Sequence, residues 1–445
     1  MNRNEQILYG SSIKKNIVQH LKDAKDILVT YPGRSYFKKD DSFDLSVTNM
    51  NQHILLLGGS GCGKTNTFLF TIEALRQQLT EQDVMLIFDT KGEFYDKFHQ
   101  PGDIVFGNSD SFRKQSATWN IFDEILIDGD DPVSIKMNAR EIAASLFHGR
   151  GSSQQPFFCN AARDIFMGIL LHFIRSSQRD PEVWQQRLNN ECLIDAFSTM
   201  KVKQYLDIFN YYEDMHFMLS YFGDGTSNQA LGVFGELHSM ISEYFLGIVA
   251  EHKPENSISM RQFVRKRGGR AFFLEYDLAV GETLTPIYRL LVDQALKEGL
   301  GRATNNNGRF FIIADEFKLL PKLQHIDDAL NFGRGLGVYL MAGIQSIDQL
   351  YDIYGKEKGA VIASGFGSLI AYHTNDASSR SYISERLGSN VVVHSYLNNA
   401  NDTPVTQERN GKTAEEWDQI ALIPGMAIVS LNMFPPFVFR FAIYD

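Results

Sequence analysis

"LLLGGSGCGKTNTF" (residues 55–68) decides the fold. Gly58, Gly59, Ser60, Gly61, Cys62, Gly63, Lys64 and Thr65 match G-x-x-x-x-G-K-[ST] at every position. "HILLL" (53–57) before them predicts a buried strand, and 64–79 predicts a helix. That setting separates the stretch from an ordinary glycine-rich turn. Glycines let successive backbone N–H groups converge on one anion, and the start of the helix adds its positive end. Lys64 is then expected to reach the β- and γ-phosphates, and the Thr65 hydroxyl to ligate Mg²⁺. The implied ligand is ATP, held with Mg²⁺. Cys62 lies inside the loop, close to a helix N-terminus that tends to lower a thiol's pKa.

Working outward, residues 1–50 are polar and mixed and predict a lead-in segment. From residue 53 short apolar runs alternate with helical ones: "VMLIFDT" (84–90) and "DIVFGN" (103–108) predict strands. Between about 131 and 265 the strand signal fades. "PFFCNAARDIFMGILLHFIR" (156–175) carries a wide helical stripe, which predicts a helix core. Strands return with "GRAFFLEYD" (269–277), "RFFIIADEF" (309–317), "GVYLMAGIQ" (337–345), "SLIAYHT" (368–374), "AIVSLNM" (427–433) and "FVFRFAI" (437–443). The expected architecture is α/β. A nucleotide-binding domain with a mostly parallel sheet spans 51–130 and 266–445, and an all-α domain is inserted at 131–265. "NNANDTPVTQERNGKT" (398–413) predicts a polar loop.

A phosphate loop needs one carboxylate near Mg²⁺ and another to orient the attacking water. "RFFIIADEF" places two acids at the carboxyl end of a buried strand: Asp315 is the expected Mg²⁺ partner and Glu316 the catalytic base. Gln345 ends the following strand, where an amide can sense the γ-phosphate or simply cap a turn. Arg334 precedes that strand; it is either a solvated surface arginine or, in a ring, a residue facing the neighbouring subunit's nucleotide.

With 445 residues, 44% of them hydrophobic, the chain can bury a large core and is expected to form two domains or more. The apolar run "IFMGILLHFI" (165–174) is short for a bilayer and contains His172, and "MNRNEQILYG" lacks the layout of a signal peptide. Three cysteines, Cys62, Cys159 and Cys192, form no metal-like spacing and fit a reducing compartment. A cytosolic protein is expected, either free or peripheral at the inner face of the cell membrane. A net charge of −10 argues against a surface coated in nucleic acid, while leaving room for a local basic channel. The run "RQFVRKRGGR" (261–270) is a candidate DNA path, although such runs are usually solvated.

The ordered set "GGSGCGKT", "FDTKGEF" (88–94), "TWNIFDE" (118–124), "PFFCNAARDIF" (156–166), "ADEF" (314–317), "GRGLGVYLMAGIQSIDQLYDIYG" (333–355), "ISERLG" (383–388) and "LIPGMAIV" (422–429) resembles the type IV secretion coupling proteins, the TraG/TraD-like ATPases of conjugation. They belong to the RecA-like hexameric motors. The resemblance implies a RecA-like P-loop NTPase domain with an all-α domain, assembled as a homo-oligomeric ring. It further implies an ATPase that pumps DNA, or DNA with a relaxase or other cargo, into a type IV secretion channel. Lys64, Thr65, Asp315, Glu316 and Gln345 fall on the family's nucleotide-site positions, and Arg334 on that of a proposed trans-acting arginine. Asp89, Lys91 and Glu93 match a family signature that a strand-end turn explains as well. Family members typically begin with transmembrane helices, which this sequence lacks, so a separate membrane-anchor subunit is one expectation. A soluble DNA-pumping motor without a secretion partner is another, and an effector-recruitment platform a third.

Overall fold

The computed structural model describes residues 5–15, 17, 26–150, 156–222, 227–279, 281–301, 308–398 and 403–445. The chain divides into two compact units: 1–103 with 268–271 and 299–445, and 104–267 with 272–298.

The strands that organise the chain are, in chain order, β1 (Ile27–Arg34), β2 (Asp41–Ser46), β3 (Ile54–Leu57), β4 (Val84–Asp89), β5 (Ile104–Gly107), β6 (Arg270–Glu275), β7 (Phe310–Ala314), β8 (Val338–Ile344), β9 (Ser368–Tyr372), β10 (Met426–Ser430) and β11 (Phe437–Phe441). Within the first unit they lie in the order β2-β1-β11-β10-β9-β3-β8-β7-β4. From β9 to β4 the pairing is parallel, with Ala314 level with both Phe88 and Ala342. Every residue of β3, β4, β7, β8 and β9 is buried, which is why these strands read as unbroken apolar runs rather than alternating ones. His53 enters β3 with φ at 58°, and its buried ring accepts the Leu340 N–H at Nδ1 (3.2 Å), pinning β3 to β8.

Beyond β9 the sheet continues antiparallel through β10, β11, β1 and β2. Here the structure corrects the expected lead-in segment. Tyr31 of β1 and Phe43 of β2 pack with Phe437, Phe439 and Phe441 at ring separations of 4.9–5.7 Å, so residues 27–46 are part of the core. Each strand contributes only alternate side chains to that cluster, which hides it in a mixed sequence. Helix α1 (Lys64–Gln78) runs from the phosphate loop, and its Thr71 hydroxyl meets the Tyr31 hydroxyl at 2.7 Å. The expected polar loop at 398–413 is instead largely strand. Thr403–Lys412 pairs with Ser389–Asn398, which also pairs with Glu5–Tyr9; residues 399–402 lie outside the described set. Glu408, Arg409 and Asn410 are exposed, so no apolar stripe marks the strand in the sequence.

The second unit is mostly helical and begins earlier than residue 131, because β5 pairs in parallel with β6. Its longest helix, α2 (Pro156–Arg179), buries the expected stripe, stacking Phe166 on Phe197 and Phe173 on Phe122. At 24 residues it is, among the described residues, the one helix long and apolar enough to cross a membrane, yet 67% of its apolar window is buried inside the protein. A fully buried carboxylate ties the unit together. Glu124 accepts hydrogen bonds from Ser259 Oγ (2.9 Å), the backbone N–H groups of Met260 and Arg261, and Trp119 Nε1 (3.3 Å). Burial still pushes its pKa up.

Candidate functional site

The loop 58–65 leaves the carboxyl end of β3 and enters α1 at Gly63, whose φ of 116° is costly for any other residue. Backbone bonds hold its shape: Gly58 N–H to Ile344 O (3.2 Å), Gly59 N–H to His373 O (3.0 Å), and Gly425 N–H to Cys62 O (2.9 Å). Just past the loop, Asn66 donates to Ala442 O (2.8 Å) and accepts the Tyr444 N–H (2.8 Å). Residues just before β10 and just after β11 therefore brace the loop and the first turn of α1.

Lys64 is buried and curls over the loop, its Nζ donating to Gly58 O (2.6 Å) and Gly59 O (3.1 Å). Thr65 Oγ1 donates to Asp315 Oδ2 at 2.9 Å, so the expected metal ligands on α1 and β7 come together. Burial is the main influence on Asp315 and raises its pKa to about 6, against the pull of Thr65, Lys64 and Lys91. Its position depends on Gly343 in the adjacent β8, since a Cβ there would lie 2.3 Å from Asp315 O.

Glu316 and Gln345, from the ends of neighbouring strands, also meet: Gln345 Nε2 donates to Glu316 Oε2 at 2.8 Å. The amide is thus turned to the acid rather than serving only as a turn residue. Glu316 Oε1 is buried without a hydrogen-bond partner among the described residues, with Lys318 Nζ 3.9 Å away. An oxygen so placed suits a base that takes its proton from water.

Other expected residues fall elsewhere. Arg334 sits exposed in the last turn of the helix Ile326–Leu336, and among the described residues no bond joins it to the loop. Cys62 overturns its expectation: the side chain is buried, and burial raises the thiol's pKa despite Lys64 Nζ at 4.0 Å. Desolvation outweighs the nearby positive charge and helix end. Asp89 holds the turn after β4 by accepting the N–H groups of Lys91 (3.0 Å) and Phe94 (2.9 Å), and Glu93 opens the short helix that follows. At least two of the five cations in the basic run are paired. Arg261 and Arg265 both pair with Asp128 and Glu298 at 2.7–3.1 Å, which removes them as a free DNA-contacting pair.

Comparison with known proteins agrees in fold. Residues 42–424 match the family model of the type IV secretion-system coupling protein DNA-binding domain. Coupling protein TraD of Escherichia coli (strain K12) is 23% identical over 316 residues, covering 69% of this chain; the chain spans 40% of TraD's length. The plasmid coupling protein TrwB in complex with ADP and Mg²⁺ superposes with a TM-score of 0.70 at 19% identity, over 90% of this chain and 87% of that one. TrwB in complex with a non-hydrolysable ATP analogue does so with a TM-score of 0.72 at 18% identity, over 100% and 96%. These likenesses show the RecA-like P-loop fold.

Proposed function

Because the chain belongs to the type IV secretion-system coupling protein family, we propose that it is an ATPase that drives DNA, alone or carrying a relaxase or other cargo, toward a type IV secretion channel. The Thr65–Asp315 hydrogen bond beside the Lys64-capped loop is the observation that carries the nucleotide reading. In this reading the first unit carries the motor's nucleotide site, and residues 131–265 of the second unit are the inserted all-α domain.

Lys64 exchanges its carbonyl partners for the β- and γ-phosphates of ATP, and the loop amides cradle the chain of phosphates. The donor set of one hydroxyl and one carboxylate suits Mg²⁺, a hard cation that prefers oxygen ligands. Bound there, Mg²⁺ would neutralise charge on the phosphates. Glu316 draws the proton from the attacking water, and Gln345 fixes the carboxylate's orientation while sensing the γ-phosphate. Arg334, exposed on its helix, acts on the nucleotide of a neighbouring subunit in a homo-oligomeric ring, with hexamers the expected size. TrwB in complex with ADP and Mg²⁺ supports the choice of ligands by analogy.

The motor works at the inner face of the cell membrane. The test is ATP turnover by the purified chain with and without DNA. DNA-stimulated hydrolysis that Glu316→Gln abolishes is expected. Stimulation by protein cargo alone would favour the recruitment platform.

A further inference from the structure

The turn that joins β1 to β2 carries two adjacent aromatic side chains in solvent, Tyr36 at 70% and Phe37 at 69% exposure. Both strands lie at the outer edge of the sheet, so the turn projects from a covered core rather than forming part of it. Its backbone is held by Ser35 N–H to Lys38 O (3.1 Å) and Tyr36 N–H to Lys15 O (3.2 Å). The charge around it runs against the chain as a whole, which has a net charge of −10. The cleft at the foot of the turn is lined by Arg34, Lys38, Lys39 and Arg440 against Asp40 and Asp41. Lys15 adds a further cation, its Nζ 4.5 Å from the centre of the Tyr36 ring.

Exposing two aromatic rings side by side has a cost that core packing does not recover here. Aromatic side chains flanked by lysines and arginines are favoured where one end meets apolar chains and the other meets charged headgroups. We propose that this turn is a membrane contact, with Tyr36 and Phe37 entering the interface of an anionic bilayer while Lys15, Arg34, Lys38 and Lys39 face its phosphates. The geometry favours lipid over nucleic acid. Tyr36 and Phe37 meet edge to face at 81°, and a lysine ammonium covers the Tyr36 ring, so no flat platform is offered to a base. Each basic residue near an anionic surface adds attraction that salt screens. The contact belongs to this chain itself and is independent of any anchor subunit and of nucleotide turnover.

The experiment is flotation of the full chain with phosphatidylglycerol-rich vesicles and with pure phosphatidylcholine vesicles. Binding to the anionic vesicles is expected, falling as salt rises. Two variants, Tyr36→Ser/Phe37→Ser and Lys38→Glu/Lys39→Glu, should each lower the partition by about tenfold. Both should keep wild-type binding of a fluorescent ATP analogue, which checks that the first unit is intact; if the aromatic pair fails that check, the lysine pair decides. No binding to anionic vesicles, or unchanged partition in a folded variant, overturns the proposal. Loss of binding to a fluorescent single-stranded oligonucleotide with unchanged flotation would also overturn it and reassign the turn to nucleic acid.

Discussion

Thr65 and Asp315 lie 250 residues apart in the chain and are joined by a 2.9 Å hydrogen bond. That bond sets the phosphate loop and the acid-bearing strand at one separation, and nucleotide chemistry at the site follows from it. Lys64→Ala should weaken ATP binding, because the loop keeps its amides but loses its cation. Glu316→Gln should bind ATP normally and hydrolyse it about a hundredfold more slowly or worse, since a preorganised catalytic group is lost. Equilibrium binding and turnover measured on both variants check the pair. Near-normal turnover in Glu316→Gln would remove that residue from the role of base.

Cys62 should be a slow thiol. Its burial and raised pKa leave little thiolate near neutral pH. Half-buried Cys192 should react with iodoacetamide first, and ATP should hardly change the rate at Cys62. Mass spectrometry of labelled peptides over time checks this. Fast labelling of Cys62 that ATP blocks would show the side chain turned into the nucleotide site.

Arg334 is expected to work across a subunit interface. Arginines that stabilise a transferring phosphoryl group raise rates by roughly 10³–10⁵. Arg334→Ala and Lys64→Ala should each be inactive alone, and mixing them should restore part of the ATPase, because some interfaces then pair an intact loop with an intact arginine. Full activity of a monomer at high dilution would contradict action in trans.

His53 predicts a dependence of stability on pH. Burial lowers its pKa to about 4, below the ordinary 6.5. Between those values the unfolded chain binds a proton that the folded chain does not, so stability is lost as pH falls through that window. The slope for one such group is at most about 1.4 kcal/mol per pH unit. His53→Asn keeps a residue type that tolerates the positive φ. Urea midpoints measured at about pH 7 and about pH 5 should fall less steeply in this variant. Equal slopes would assign the acid sensitivity to other groups.

What was legible in the sequence is what lies close together along the chain. The loop 58–65 and the Asp315–Glu316 pair announce themselves because their chemistry sits in consecutive residues at strand ends. Glu124 did not, since three of its donors come from residues 135 to 137 positions away. Tyr31 and Phe43 were hidden because antiparallel strands at the sheet's edge bury only one face. The sign of the Cys62 shift depended on how deeply the thiol sits, which no local pattern records. The basic run was readable as charge, but its partners Asp128 and Glu298 were not.

Asn66 donates to Ala442 O and accepts the Tyr444 N–H, connecting positions 376 and 378 residues apart. At typical rates of synthesis the ribosome needs roughly 20–75 seconds to travel that far. During this interval the phosphate loop is already outside the ribosome without the residues that brace it, while the whole second unit is being made. The two hydrogen bonds at Asn66 therefore form only once synthesis is almost complete. The order of translation acts as a timer on when the site first becomes competent.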